Sequence, residues 1–229
     1  MSNLAIITAR GGSKRIPRKN IKDFCGKPII AYSIQAALES KLFEEVMVST
    51  DDEEIASISR EFGAKVPFYR SEATSNDYAT TMDVLREVIN VYKGKGKTFK
   101  YMCCIYPTAP FVTAEKLHRG YDILVTADAD RVDTIVKYDC PPQWALSIDD
   151  KGFISFSYPE TITMRSQDLT PMYHDAGQFY WYNVDKCFYR GDNIARINSL
   201  ILDPQEVQDI DDESDWKLAE MKFSMMRKL

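Results

Sequence analysis

Short apolar runs alternate with segments of helical periodicity through the first half of this chain of 229 residues. Such runs are typical of strands buried on both faces of a sheet, and the periodic segments carry their apolar residues on one side of a helix. We predict strands at residues 4–8, 45–49, 66–69, 101–106 and about 134–138, and helices that begin at Pro28, after Asp52, at Thr80 and at Ala114. The alternation favours an α/β fold with a mostly parallel sheet that helices cover on both faces.

The second half of the chain is richer in strands. Residues 144–148 and 153–157 flank the turn sequence Asp-Asp-Lys-Gly and predict a hairpin. Two more strands are predicted at residues 179–182 and 199–202, and Asp212 is a candidate cap for a final helix that runs to Arg227. We therefore expect one domain over residues 1–229, with a small β-rich excursion around residues 140–183.

The composition argues against several classes of function. A net charge of −5 has the wrong sign for a general nucleic-acid-binding protein. No apolar stretch approaches the length of a membrane helix, and the first residues lack the pattern of a signal peptide. Five cysteines without a Cys-x-x-Cys spacing indicate a reduced, cytoplasmic protein, and the two histidines argue against a histidine-built zinc site.

The segment after the first predicted strand has the composition of a phosphate-binding loop. Gly11 and Gly12 follow the strand, and adjacent glycines let the backbone turn tightly and bring its N–H groups close to a ligand. Guanidinium and ammonium groups suit a phosphate chain. The cations of this loop are Arg10, Lys14, Arg15, Arg18 and Lys19. The spacing matches neither a P-loop nor the dinucleotide fingerprint, and the alternative is a basic surface loop whose glycines serve only a turn.

Three predicted loops meet at one edge of the predicted sheet. In α/β sheets, ligands bind beyond the carboxyl ends of the strands. The chain places residues 10–20, 50–52 and 107–110 at three such ends. We therefore expect the basic loop to face a ligand together with the other two loops.

An acidic segment, Asp209-Ile210-Asp211-Asp212, precedes the last predicted helix. In an extended segment, residues two apart face the same way, so Asp209 and Asp211 can share one Mg²⁺. Mg²⁺ usually takes one or two carboxylates together with substrate phosphates and water. The alternative is that Asp212 only caps the helix while its neighbours are solvated. The basic loop elsewhere in the chain favours the metal site.

Further polar residues are candidates for substrate contacts, each with a structural alternative. Arg70 could read a base edge, or it could be a surface arginine beside a helix cap. Arg165 could hold a substrate carboxylate bidentately, or it could pair with Asp168. Residues 173–181 join ionisable groups to an aromatic strand. We interpret them as a polar wall beside an acceptor, with aromatic packing as the alternative.

These residues resemble the CMP-sialic acid synthetase family, the cytidylyltransferases that activate nine-carbon keto-sugar acids, and the resemblance covers nearly the whole chain. Its most specific part is Ala-Arg-Gly-Gly-Ser-Lys-Arg-Ile-Pro-Arg-Lys-Asn at residues 9–20, which is similar to the family's nucleotide loop. Four more segments are similar to family motifs: Lys-Pro-Ile-Ile-Ala-Tyr-Ser-Ile at 27–34, Val-Ser-Thr-Asp at 48–51, Pro-Thr-Ala-Pro at 107–110 and Asp-Ile-Asp at 209–211.

The chain departs from the family pattern on the sugar side. Tyr106 stands where the family has glutamine, and the family's sugar-contacting lysine has no evident counterpart near residues 141–145. The family's Asn-Gly-Ala-Ile-Tyr segment is replaced by Asp-Ala-Gly-Gln-Phe-Tyr-Trp at residues 175–181, and with the preceding histidine this wording resembles the pseudaminic acid branch.

The resemblance implies CMP transfer from CTP to the anomeric hydroxyl of pseudaminic acid, with release of pyrophosphate, in a bacterial flagellin or surface-glycan pathway. The alternatives are an acceptor such as legionaminic acid, N-acetylneuraminic acid or another keto-sugar acid, and a non-catalytic nucleotide-binding protein of the same fold.

The resemblance also implies a Rossmann-like nucleotidyltransferase fold, Mg²⁺ as cofactor, and a homodimer in which the β-rich excursion reaches the other subunit. The implied catalytic residues are Lys19, Asp209 and Asp211, with Mg²⁺ on the two aspartates. The implied nucleotide-binding residues are Arg10, Gly11, Gly12, Ser13, Lys14, Asn20, Arg70, Asp77, Pro107 and Thr108. The implied sugar-binding residues are Tyr106, Arg165, Tyr173, His174, Asp175, Gln178 and Tyr180.

Overall fold

Strands and helices alternate along the chain in a computed structural model that describes residues 2–190 and 194–226. The strands are β1 (Asn3–Thr8), β2 (Asp23–Phe24), β3 (Lys27–Pro28), β4 (Glu45–Ser49), β5 (Tyr101–Ile105), β6 (Arg131–Lys137), β7 (Leu146–Ile148), β8 (Ile154–Phe156), β9 (Tyr173–Asn183) and β10 (Ile197–Leu202). The helices are α1 (Ile30–Ser40), α2 (Glu53–Glu61), α3 (Glu72–Ser75), α4 (Thr81–Gly94), α5 (Ala114–Thr126) and α6 (Glu213–Met226).

The central sheet has six strands in the order β10-β6-β9-β5-β1-β4. β1 pairs in parallel with β4 and β5, and β6 pairs in parallel with β10, whereas β9 is antiparallel to both of its neighbours. Phe179 lies opposite Ile105, the last residue of β5, so residues 173–178 of β9 extend beyond the carboxyl end of β5. The predicted mostly parallel α/β sheet is confirmed, and β9 brings its first residues to the edge where the loops of the other strands meet.

Helices cover both faces of the sheet. One core cluster joins alternate strand residues to α1, α2 and α5 through side chains such as Ile34, Ile55 and Leu117. The cluster on the other face joins the remaining strand residues to Leu85 and Val88 of α4. Strands β1, β4 and β5 are buried on both sides, which explains why they appear in the sequence as continuous apolar runs.

A third core cluster places α6 beside the basic loop. Trp216 and Phe223 of α6 pack with Phe24, and the same cluster contains Ile16 of the loop and Ile210. Ile210 is the residue between the two candidate metal ligands. Burial of its side chain therefore holds the acidic segment against the loop that carries the cations.

Two local predictions are wrong. Residues 66–69 form no strand, since the chain makes only an isolated bridge between Lys65 and Met47 before it leaves the sheet. Pro67 lacks the N–H that a ladder requires. The helix predicted from Pro28 begins at Ile30, because Lys27–Pro28 pairs instead with Asp23–Phe24. Arg227, the predicted end of the last helix, lies outside the described residues.

The hairpin predicted between residues 144 and 157 is formed by β7 and β8, which pair antiparallel. It stands away from the sheet with large apolar side chains exposed, among them Ile148 (72%) and Phe153 (71%). Within residues 2–190 and 194–226, no helix has the length and apolar character needed to span a bilayer.

Candidate active site

A cleft of about 300 Å³ opens at the carboxyl edge of the sheet. Its walls come from the loop after β1, from residues 70–84 and from the chain just after β5. Nine of the predicted nucleotide, catalytic and sugar residues line it: Arg10, Ser13, Lys19, Asn20, Arg70, Asp77, Tyr106, Pro107 and Thr108. The cleft also contains Arg15, Asn76, Thr80 and Thr81, which the sequence analysis did not assign to the site.

At position 11 the side chain of Asp52 lies too close to the backbone for a Cβ. Its N–H donates to Asp51 Oδ1 at 2.9 Å, so this amide is already engaged. A Cβ at Gly11 would lie 2.9 Å from Asp52 Oδ2, whereas a Cβ at Gly12 would meet nothing within 4 Å. Neither glycine has a positive φ. The first glycine therefore permits a close approach to Asp52, and of the two only Gly12 faces open space.

Gly11→Ala is expected to lower the free energy of unfolding by about 1–3 kcal/mol, the usual range for an overpacked site. Asp52 cannot yield easily, because it caps α2 through Ile55 N and accepts from Arg18 Nη2 at 2.9 Å. Urea denaturation would measure the loss. Gly12→Ala is the matched control and should change stability little. An equal loss in both variants would contradict the role given to Asp52.

The five cations of the loop have different roles. Arg10, Arg15 and Lys19 line the cleft, while Lys14 pairs with Asp77. Arg18 has a left-handed φ of 56° and pairs with Asp52 and Glu54. Its hydrogen bond lowers the pKa of Asp52 to about 2. Arg18 is therefore a structural residue that anchors the loop to the start of α2.

Asp77 and Asn20 contact the loop itself. Asp77 accepts from Arg10 Nη1 at 2.9 Å and from Lys14 Nζ. The buried Asn20 donates from Nδ2 to Arg10 O at 2.9 Å. Both side chains thus hold cationic residues in place at the cleft.

Arg70 is half-buried at the wall of the cleft. Its Nε donates to Ser49 Oγ and its Nη2 donates to Ser49 O, each at 3.0 Å. Burial lowers the pKa of its guanidinium. The side chain is fixed to the end of β4 at the cleft wall, and Arg70 also directly precedes Ser71, the N-cap of α3, so both readings of Arg70 stay predictions.

The acidic segment contacts the basic loop at two points. Lys19 Nζ donates to Ile210 O at 2.6 Å, and Arg15 Nη2 lies 2.7 Å from Asp211 Oδ1. Burial lowers the pKa of Lys19, and the charges of Asp211 and Asp209 oppose that shift. Burial and the neighbouring Asp211 raise the pKa of Asp209. A pair of carboxylates that is costly to ionise together is a suitable place for an added cation.

The donor set at this pair suits Mg²⁺. Among the described residues, no group of three or more histidine, cysteine or acidic side chains could hold a metal ion. The protein would therefore supply at most the two carboxylates of Asp209 and Asp211. Magnesium sites that are completed by substrate phosphates and water need no more than that.

A second cavity, of about 380 Å³, lies beside the aspartates. Asp209 and Asp211 line it together with His174 and Lys137. A neighbouring cavity of about 410 Å³ shares Lys137 and extends toward Ser166 and Gln167. Lys137 was not predicted as a site residue, because it comes from the end of β6 and outside every motif. The aspartates thus line a space large enough for a second substrate, and the cleft residues Arg15 and Lys19 contact their segment from the other space.

The aromatic segment forms a hydrogen-bonded wall. Tyr180 Oη donates to Asp175 Oδ1 at 2.6 Å, and the Tyr180 ring centroid lies 5.4 Å from that of Tyr106. Tyr106 Oη lies 3.4 Å from Thr81 Oγ1 in the first cleft. Burial raises the pKa of both tyrosines. The wall therefore presents neutral hydroxyl groups.

Three of the predicted sugar-binding residues lie outside the first cleft. Gln178 is buried and donates from Nε2 to Glu206 O at 2.6 Å, so it supports the acidic segment from behind. Tyr173 is partly exposed at the first position of β9. Arg165 pairs with Asp168 at 2.7 Å and lies outside the cleft and both cavities. In this single chain Arg165 therefore adopts the structural alternative, which is the ion pair with Asp168.

A mostly parallel sheet with a basic loop after its first strand and an acidic pair before its last helix defines a nucleotidyltransferase of the α/β class. The chain belongs to the cytidylyltransferase family, because residues 4–148 match the family model described as Cytidylyltransferase.

The relatives agree with this family. The chain is 38% identical, over 98% of its own length and 97% of the relative's, to a pseudaminic acid cytidylyltransferase of Campylobacter jejuni. It is 34% identical, over 96% and 95%, to a CMP-N,N′-diacetyllegionaminic acid synthase of Legionella pneumophila. A solved CMP:2-keto-3-deoxy-manno-octonic acid synthetase complexed with CTP has a TM-score of 0.69 at 18% identity and covers 100% of both chains. At that identity the likeness concerns the fold alone.

Proposed function

We propose that this protein transfers CMP from CTP to the anomeric hydroxyl of pseudaminic acid and releases pyrophosphate. The observation that carries the proposal is that Asp209 and Asp211 line the second cavity, while two cations of the cleft reach their segment: Arg15 pairs with Asp211 and Lys19 binds Ile210 O. The likeness to a pseudaminic acid cytidylyltransferase over nearly the whole chain supports this choice of acceptor. Legionaminic acid is the second candidate, since a legionaminic acid synthase is also similar.

In the proposed reaction, the cations of the cleft bind the triphosphate and neutralise the charge that develops on it. Arg10, Arg15 and Lys19 supply this charge at the cleft wall, and Lys14 pairs with Asp77, which lines the same cleft. Bound to Asp209 and Asp211, Mg²⁺ would lower the charge of the phosphate oxygens and favour ionisation of an acceptor hydroxyl. Catalysis of this kind rests on positioning and electrostatic stabilisation.

The acceptor would occupy the second cavity. Lys137 lines this cavity and offers an ammonium donor for polar groups of a sugar acid, including its carboxylate. His174 also lines it, and its Nδ1 lies 2.9 Å from Asp175 O. Tyr106 lines the first cleft and would face the acceptor near the reacting phosphate, while Tyr180 and Asp175 support it through the ring contact and the Tyr180–Asp175 hydrogen bond.

Pyrophosphate release tests the proposal. Purified protein with CTP and Mg²⁺ would be assayed against pseudaminic, legionaminic and N-acetylneuraminic acids. Turnover with pseudaminic acid is the expected result. Turnover with only another sugar would retain the reaction and change the acceptor. CTP binding without release from any of the three would favour a non-catalytic nucleotide-binding protein.

The same proposal includes a homodimer that forms through the hairpin β7–β8. Contiguous exposed apolar residues usually mark an interaction site. On this hairpin the side chains of Ile148, Phe153 and Ile154 are at least 60% exposed. Phe156, the last residue of β8, and the nearby Tyr158 are also partly exposed. A second subunit seated there would bury them and would approach the cavity that Ser166 and Gln167 line.

Phe153→Glu combined with Ile148→Glu is therefore expected to shift the protein from dimer to monomer in sedimentation velocity. Met221→Glu is the matched control, because Met221 is 64% exposed on α6, away from the hairpin. Wild-type protein that sediments as a monomer would refute the dimer.

We propose a cytoplasmic location with this activity. None of the five cysteines forms a disulfide, and three of them are buried. A bacterial surface-glycan or flagellin pathway agrees with the likeness, at 29% identity, to a post-translational flagellin modification protein B of Campylobacter coli.

A further inference from the structure

We propose that Lys116 and Glu206 form an ion pair that positions the Asp209–Asp211 segment for the metal, an inference that rests on the proposed function. Lys116 lies in the first turn of α5 and is only 4% exposed. Its Nζ is 2.9 Å from Glu206 Oε2 and donates to Phe111 O at 2.8 Å. The ammonium group of Lys116 therefore links two segments of the chain. Phe111 lies just after the cleft residues 107 and 108, and Glu206 lies just before the aspartates.

The segment that carries the aspartates has no sheet ladder of its own. Residues 207–211 lie in neither a strand nor a helix. Three side chains from other elements bind carbonyl groups of this segment and of Glu206, which precedes it. The contacts are Gln178 Nε2 to Glu206 O (2.6 Å), Lys222 Nζ to Val207 O (2.7 Å) and Lys19 Nζ to Ile210 O (2.6 Å). Lys116 adds a charged tie to a side chain of the same segment.

The pair links the two halves of the site in a way that the carbonyl contacts do not. Phe111, whose carbonyl Lys116 binds, packs in the same buried cluster as Ile210. Lys116 thus holds the backbone of Phe111 and the side chain of Glu206, while Phe111 belongs to the buried cluster that contains Ile210, the residue between the two metal ligands. Burial lowers the pKa of Lys116 and Glu206 opposes that shift, so loss of Glu206 would leave a poorly solvated charge.

Neither residue lines the cleft that would hold CTP, so both are positioning residues. Groups that orient metal ligands typically change metal affinity by about 10- to 100-fold when they are removed. Their loss should therefore raise the Mg²⁺ requirement while CTP binding changes little.

Lys116→Met in the full chain tests this inference. We expect the Mg²⁺ concentration for half-maximal pyrophosphate release to rise about tenfold or more, with the KM for CTP within about threefold of wild type. We also expect the amides of residues 203–212 to exchange hydrogen about tenfold faster without metal or substrate. Glu206→Gln keeps an acceptor oxygen for Lys116 and should show both effects in smaller measure.

Lys97→Met is the matched control. Lys97 Nζ lies 2.9 Å from Oε2 of the buried Glu45, at the amino-terminal end of β4 and so at the opposite edge of the sheet. This variant should lose stability but keep the Mg²⁺ dependence and the exchange of residues 203–212. If Lys116→Met and Glu206→Gln behave as Lys97→Met does, the positioning role is refuted. If wild type shows no Mg²⁺-dependent release, the proposed function fails, and the exchange measurement still decides whether the pair orders the segment.

Discussion

Asp209→Asn and Asp211→Asn are each expected to reduce turnover by at least about 1000-fold, while the protein remains folded. Removal of a carboxylate from a two-ligand site removes most of the metal's stabilisation of the transition state, which is worth several kcal/mol. Pyrophosphate release at saturating CTP and acceptor would measure the loss. Near-normal rates in either variant would refute the metal assignment.

Although Asp209→Asn should lose turnover, its stability should be unchanged or higher. Its pKa is raised by burial and by Asp211, so the folded state disfavours the charged form. This cost is absent at acid pH, grows as the pH rises from the unfolded pKa to the higher folded pKa, and is present at neutral pH. The neutral amide removes it, so we expect a melting temperature at or above that of wild type. Loss of activity with unchanged or higher stability is typical of a residue kept for function.

Asp212→Ala is the matched control for the aspartate pair. Asp212 Oδ1 accepts from Ser214 N at 2.8 Å and from Asp215 N at 3.0 Å, as a helix cap does. Its loss should lower the free energy of unfolding by about 1 kcal/mol and leave turnover nearly unchanged. A loss of turnover equal to that of Asp209→Asn would show that disorder of the segment, and not loss of a ligand, explains both results.

Lys19→Met is expected to lower kcat by about 100- to 1000-fold, the usual effect of removing one electrostatic contact to a transition state. Lys19 is the half-buried cation that lines the cleft and also reaches the acidic segment through Ile210 O. Methionine keeps most of the apolar part of the Lys19 side chain and removes the positive charge that compensates the negative charges of Asp209 and Asp211. Steady-state kinetics across CTP concentrations would separate the fall in kcat from a change in KM.

Lys22→Met controls for the loss of a loop cation. Lys22 Nζ lies 2.7 Å from Glu213 Oε1 and 4.6 Å from the centroid of the Trp216 ring, outside the cleft. Because exposed pairs contribute about 0–1 kcal/mol, this variant should be slightly less stable and fully active. A Lys19→Met enzyme within threefold of wild type would contradict a direct role for Lys19.

Local patterns in the sequence were sufficient for much of the fold and for the content of the site. Buried strands such as β1 and β5 appear as apolar runs because both of their faces are covered. Helix caps such as Asp52 and Thr80 act through neighbours three residues away, so their function is visible in a short segment. The basic loop and the acidic pair were found for the same reason, since each concentrates its functional groups within a few residues.

Only the tertiary structure decided which of these groups face each other. Arg15 lies in the cleft and meets Asp211, 196 residues away, whereas Arg18 three positions later turns to Asp52. Lys137 joins the second cavity because β9 inserts antiparallel between β5 and β6 and brings His174 beside it. Such partnerships depend on contacts between chain segments far apart in sequence. The sequence therefore determined the chemistry available to this protein, and long-range packing determined where each charge is used.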